Sequence, residues 1–113
     1  MPGKKEERQK TSVIGIEDES TRVPDQAELR AKSSSDPKPL AGSIIAKFKE
    51  FGYVKIRAIG PAATGKAFHA FCIARSKLTL SGIEAVCYGS FFDVKIEGSE
   101  EIRTGMTLTV EDR

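Results

Sequence analysis

Residues 53–66 read Tyr-Val-Lys-Ile-Arg-Ala-Ile-Gly-Pro-Ala-Ala-Thr-Gly-Lys, and they narrow the choice of fold more than any other stretch. Val54, Ile56 and Ala58 alternate with Lys55 and Arg57, the period of a strand with one buried face. Gly60 frees the backbone to turn, and Pro61 suits the first helical position because the N–H it lacks would be unpaired there. The chain therefore passes from strand to helix within two residues. The N-terminus of that helix favours anions.

The same pattern precedes it. Ala27 to Lys32 alternates apolar with charged residues as a strand should, and Ser33 to Asp36 form a polar loop. Asp36 is a good N-cap before Pro37, and Leu40, Ile44, Phe48 and Phe51 recur at helical spacing until Gly52 ends the helix. A helix joining two strands of one sheet is a crossover, so the strands run parallel. The second helix, Pro61 to Lys77, buries Ala63, Ala67, Ala70, Phe71, Ala74 and Leu78 on one face. Phe68 and Cys72 project elsewhere, leaving a second apolar patch for a subunit interface or for loops of the same chain to cover. Glu84 to Glu97 and Ile102 to Glu111 form an antiparallel hairpin around Gly98 to Glu101.

The expected order is βαβαββ in an α+β, two-layer sandwich: a four-stranded mixed sheet with two helices on one face. This domain occupies residues 27–113. Residues 1–26 read as a disordered polar tail, whose apolar patch Val13-Ile14-Gly15-Ile16 is too small for a core of its own.

Composition removes several function classes. A hydrophobic content of 39% is ordinary for a globular chain, and no run approaches a secretory signal or a membrane span, so a cytoplasmic protein is expected. Cys72 and Cys87 lie in apolar sequence, which favours buried reduced thiols over a disulfide or metal pair; no metal or cofactor is expected. His69 has no adjacent nucleophile arrangement, so no catalytic residue is assigned. Gly60 to Lys66 has the G-x-x-x-x-G-K spacing of a P-loop, but Ala67 stands where a hydroxyl should hold magnesium. A nucleotide hydrolase is set aside, and with it a small-molecule substrate.

The net charge of +2 conceals an asymmetry. Residues 1–29 carry five Lys/Arg against seven Asp/Glu, residues 30–77 ten against two, and residues 78–113 three against seven. An excess of eight positive charges in the central segment points to a polyanion, DNA or RNA. No aromatic pair or reading helix stands out, so contacts to phosphate rather than to bases are expected.

Ala31-Lys32-Ser33-Ser34, Leu40-Ala41-Gly42, Ile56-Arg57-Ala58-Ile59-Gly60, Ile73-Ala74-Arg75, Ser81-Gly82-Ile83 and Phe92-Asp93-Val94-Lys95-Ile96 form an ordered series that resembles the stage V sporulation protein S family. That family is similar in fold to the archaeal chromatin protein Alba, so the resemblance implies an Alba-like domain that dimerises and binds nucleic acid. In Alba-like proteins lysines of the loop before the first helix contact the duplex; here that loop holds Lys32 and Lys38 with Ser33 and Ser34. Alba's turn before the second helix resembles Arg-Gly-Arg, whereas this chain has Ile59-Gly60-Pro61, with Arg57 before it and Lys66 after it. Alba's hairpin arm is basic; this one sets Lys95 and Arg103 against Glu97, Glu100 and Glu101. The reading is a non-enzymatic, dimeric nucleic-acid-binding protein with Phe68 and Cys72 in the interface. The alternative is a protein-interaction module that uses the apolar helix patch and the acidic hairpin.

Overall fold

The computed structural model describes residues 16–18, 21–96 and 98–113. Strand β1 is Ile16–Asp18, β2 Glu28–Ala31, α1 Pro37–Phe51, β3 Tyr53–Ile59, α2 Pro61–Thr79, β4 Ala85–Lys95 and β5 Ile102–Asp112. Asp36 caps α1 by accepting a hydrogen bond from the Lys38 backbone, and the Gly52 N–H closes it onto the Phe48 carbonyl at 2.8 Å. Strands β2 and β3 are parallel, as a helical crossover requires, while β5 lies antiparallel between β3 and β4.

The sheet is mixed and has the order β1-β4-β5-β3-β2, so the expected four strands are corrected to five. The extra strand comes from the segment read as a tail: Ile16–Asp18 pairs parallel with Asp93 to Lys95 on the open edge of β4. Three residues are too few to reveal a strand by alternation, and an unpaired edge elsewhere in the chain is what recruits them. Residues 1–15, including Val13, Ile14 and Gly15 of the apolar patch, lie outside the described residues, as does Glu97 of the hairpin tip.

Both helices pack on the sheet face formed by Val54, Ile56, Ala58, Leu108 and Val110. All six residues expected on the buried face of α2 are buried, and the alanines bring that helix close to the sheet. The outer side of α2 leaves Cys72 exposed, and Cys87 is only partly buried, which corrects the expectation of two buried thiols. Burial still pushes the Cys87 thiol above its usual value.

The opposite face carries Lys55, Arg57, Thr107, Ser90 and Phe92. Gly105 sits there between Ile59 and Phe92, and a Cβ on it would meet the Phe92 ring and the Ala58 carbonyl oxygen, the latter at 2.6 Å. The missing side chain is the space the ring uses. Gly105→Ala is expected to lower stability by about 1–3 kcal/mol, the usual cost of overpacking, read from the midpoint of urea denaturation.

Candidate functional site

Because β2 and β3 are parallel, the loops that follow them open at the same end of the sheet, and both helices begin there. In open sheets with helical crossovers this carboxyl end is where ligands collect. The hairpin joins it from the other side. Gly105 pairs with Ile59 at the end of β3, so Ile102 to Thr104 and their partners Asp93 to Lys95 extend beyond the last β3 residue. Most of the candidate residues are thereby brought to one end of the molecule.

Lys32, Ser33 and Ser34 are exposed in a tight turn, held by the Lys32 N–H donating to Ser35 Oγ at 2.9 Å and the Ser35 N–H donating to the Lys32 carbonyl at 3.0 Å. Lys38 is exposed in the first turn of α1 and lines a separate apolar groove with Ile45, Ile73 and Lys77. Gly60, at φ +93°, makes the turn that few other residues could make, and α2 starts at once. Its N-terminus has no side-chain cap and no acidic residue in the first turn, so its leading N–H groups are open to an anion. Pro61 to Lys66 is therefore helix and does not wrap a phosphate as a P-loop does. Lys66 is partly buried one turn along. On the hairpin, Lys95 Nζ lies 3.6 Å from Glu100 Oε1, and Arg103 is exposed.

Arg57 is placed differently from the other cations. Its guanidinium stacks 3.6 Å over the Phe92 ring, pairs with Glu17 at 2.6 Å and approaches Glu28 at 3.9 Å, leaving the side chain 12% exposed. Arg22 completes the network: it donates two hydrogen bonds to Glu28 and lies 3.3 Å from Glu17. The Glu28 bonds push the Arg22 guanidinium above its already high value, against the opposing effect of burial. Among the described residues no buried side-chain polar atom lacks a hydrogen-bond partner. Arg57 shapes this end of the sheet more than it offers charge to a ligand. Arg22, Glu17 and Phe92 escaped sequence reasoning because no local pattern joins them; Arg30 stood at an outward position of the first expected strand and could have been found there.

Arg22, Arg30, Arg57 and Phe92 line a cavity of about 340 Å³. Arg22, Arg30, Lys32 and Arg57 supply its charge, and Ile59, Phe92 and Val94 much of its apolar wall. A second groove, beside Gly60 on α2, is almost wholly apolar and runs past Phe68, Phe91 and Met106. Phe68 is 51% exposed and Phe91 77% exposed. Among the described residues, loops of the same chain thus leave about half of Phe68 uncovered. Among the described residues no cluster of His, Cys, Asp or Glu is placed to hold a metal, and no helix is long and apolar enough to cross a membrane.

The segment leading into β2 is fastened by Asp25. Its carboxylate accepts from the Ala27 N–H at 2.8 Å and from the Tyr53 hydroxyl at 2.8 Å, and these two bonds, in that order, hold it below the usual carboxylate range. A carboxylate with a lowered folded value stabilises the fold above its unfolded value, near about pH 3.9, and loses that contribution as pH falls below it. Asp25→Asn is expected to be less stable than wild type near about pH 7, with the gap closing toward about pH 3, measured by urea denaturation at each pH.

Residues 27–113 match the family model for stage V sporulation protein S, and the chain belongs to that family.

Proposed function

We propose that this protein binds the phosphate backbone of DNA or RNA, without catalysis, as a cytoplasmic dimer with a regulatory or architectural role. The observation that carries the reading is the convergence at one end of the sheet: the α2 N-terminus, with no side-chain cap and no acid in its first turn, beside the loop of Lys32 and Ser33. Anions favour such helix ends, and lysines beside them add the long-range attraction a polyanion needs. The βαβαββ order of residues 27–113, with a hairpin overhanging that end, supports an Alba-like arrangement. Arg57 serves this reading by framing the loop, since Glu17 and Glu28 already balance its charge.

The hairpin contributes less than a basic arm would. Lys95 is paired with Glu100, and Glu101 is exposed nearby, so phosphate contacts concentrate on the loop and the α2 turn. In a duplex titration followed by fluorescence anisotropy at several salt concentrations, Lys32→Ala combined with Lys66→Ala is expected to flatten the slope of log K against log salt by about 0.9 for each phosphate that the variant no longer neutralises. An unchanged slope in the folded double mutant places the interface elsewhere. Parallel titrations with single-stranded DNA and RNA identify the preferred nucleic acid.

Dimerisation fits the uncovered groove of Phe68, Phe91 and Met106, with Cys72 on the exposed side of the same helix. A two-fold contact buries such a patch on both copies, and two basic loops held rigidly gain affinity through effective concentration. Phe68→Glu is expected to give monomers by light scattering and to weaken duplex binding. A monomeric wild type, or a mutant that remains dimeric, rejects the interface. The same groove also supports a second reading, a protein-interaction module, which predicts no salt-dependent binding to any nucleic acid.

A further inference from the structure

The cavity at the end of the sheet has a polarity that backbone binding does not use. Its mouth carries Arg30, Lys32 and Ser33, all exposed, whereas Arg22 and Arg57 are largely buried, at 18% and 12% side-chain exposure. The two buried guanidiniums are balanced from behind by Glu17 and Glu28, and no carboxylate lines the cavity among the described residues. Balanced guanidiniums are poor sites for a free charge, but they remain flat, and each terminal nitrogen carries a second N–H beyond the one it gives to a carboxylate. Ile59, Phe92 and Val94 offer apolar wall between them. The interior therefore suits a flat body bearing hydrogen-bond acceptors, and the mouth suits a phosphate.

We propose that this cavity binds one nucleoside phosphate unit, its base inside against Arg57 and the apolar wall and its phosphate at the mouth against Arg30, Lys32 and the Ser33 hydroxyl. The volume of about 340 Å³ lies within the range of small-ligand sites and admits a single such unit. A base stacked within an intact duplex cannot enter; an unpaired or terminal nucleotide can, and so can a free nucleotide. This revises the expectation of no small ligand. It rests on the proposed nucleic-acid reading only where the unit belongs to a strand. Arg57 is already stacked on Phe92 and held by Glu17, so the inner surface is ordered before a ligand arrives, which lowers the entropic cost of binding.

The test uses the full chain and four probes: free AMP, inorganic phosphate, a single-stranded oligonucleotide with or without a 5′-phosphate, and a closed circular duplex. AMP is expected to bind saturably by calorimetry, and the 5′-phosphate to tighten oligonucleotide binding by about tenfold, the worth of a charge-assisted contact. Phe92→Leu is expected to remove both effects while leaving circular-duplex binding within about twofold, since the backbone reading assigns that ring no contact, and Arg30→Ala is expected to remove the effect of the 5′-phosphate. Thermal melts establish that each variant is folded, and Arg30, an exposed strand residue, decides the matter if Phe92→Leu is not. Binding of AMP without binding of any nucleic acid keeps the cavity assignment and rejects the backbone reading. Circular duplex bound equally by all variants, with no heat from AMP and no effect of the 5′-phosphate, overturns the cavity assignment and keeps the backbone reading. Inorganic phosphate displacing AMP at equal concentration overturns the nucleoside assignment in favour of a simple anion site.

Discussion

Arg57 reaches from β3 across the place where β5 has only Gly105, lies on the Phe92 ring of β4, and ends against Glu17 of β1. Three strand spacings separate β1 from β3, roughly 14 Å on a flat sheet, so the sheet must curl over this face for the two side chains to meet. Gly105 permits that approach because any side chain there would occupy the position of the Phe92 ring. One row of residues thus joins four of the five strands. Arg22 and Glu28 extend the row to β2 and to the segment that precedes it.

That row governs the chemistry of the sheet's carboxyl end. By engaging both Arg22 and Arg57, the carboxylates of Glu17 and Glu28 convert two charges into a shaped, hydrogen-bonding wall. Charge for an anion is left to the exposed Lys32 and to the uncapped N-terminus of α2. A partly buried ion network of this kind is weak evidence for stability, because desolvation offsets much of the Coulombic gain. Its clearer consequence is geometric: it holds the arginine planes and the N-terminal strand in one arrangement. Both proposals use that arrangement, one at its outer surface and one in its interior.

The apolar groove of Phe68 and Phe91 follows from the opposite logic. The alanine stripe of α2 lets the helix sit close to the sheet, and Phe68, off that stripe, is turned outward. Phe68 and Phe71 remain in ring contact at 5.9 Å between centroids, but only Phe71 reaches the core. The geometry that makes the core dense leaves Phe68 and Phe91 as an exposed aromatic surface.

Period-two alternation in Val54 to Ala58, the Asp36 cap, the Gly60-Pro61 junction and the alanine spacing of α2 are local signals, and they determined the elements, their order and the parallel pairing of β2 with β3. The exposed basic loop was legible for the same reason. Only tertiary structure decided that Ile16–Asp18 joins β4, because strand pairing depends on an edge formed by residues far along the chain. It also decided what Arg57 is for. A sequence shows a positive charge before a phosphate-favouring turn; whether that charge is available depends on carboxylates delivered by β1 and β2, and such convergence has no periodicity to read.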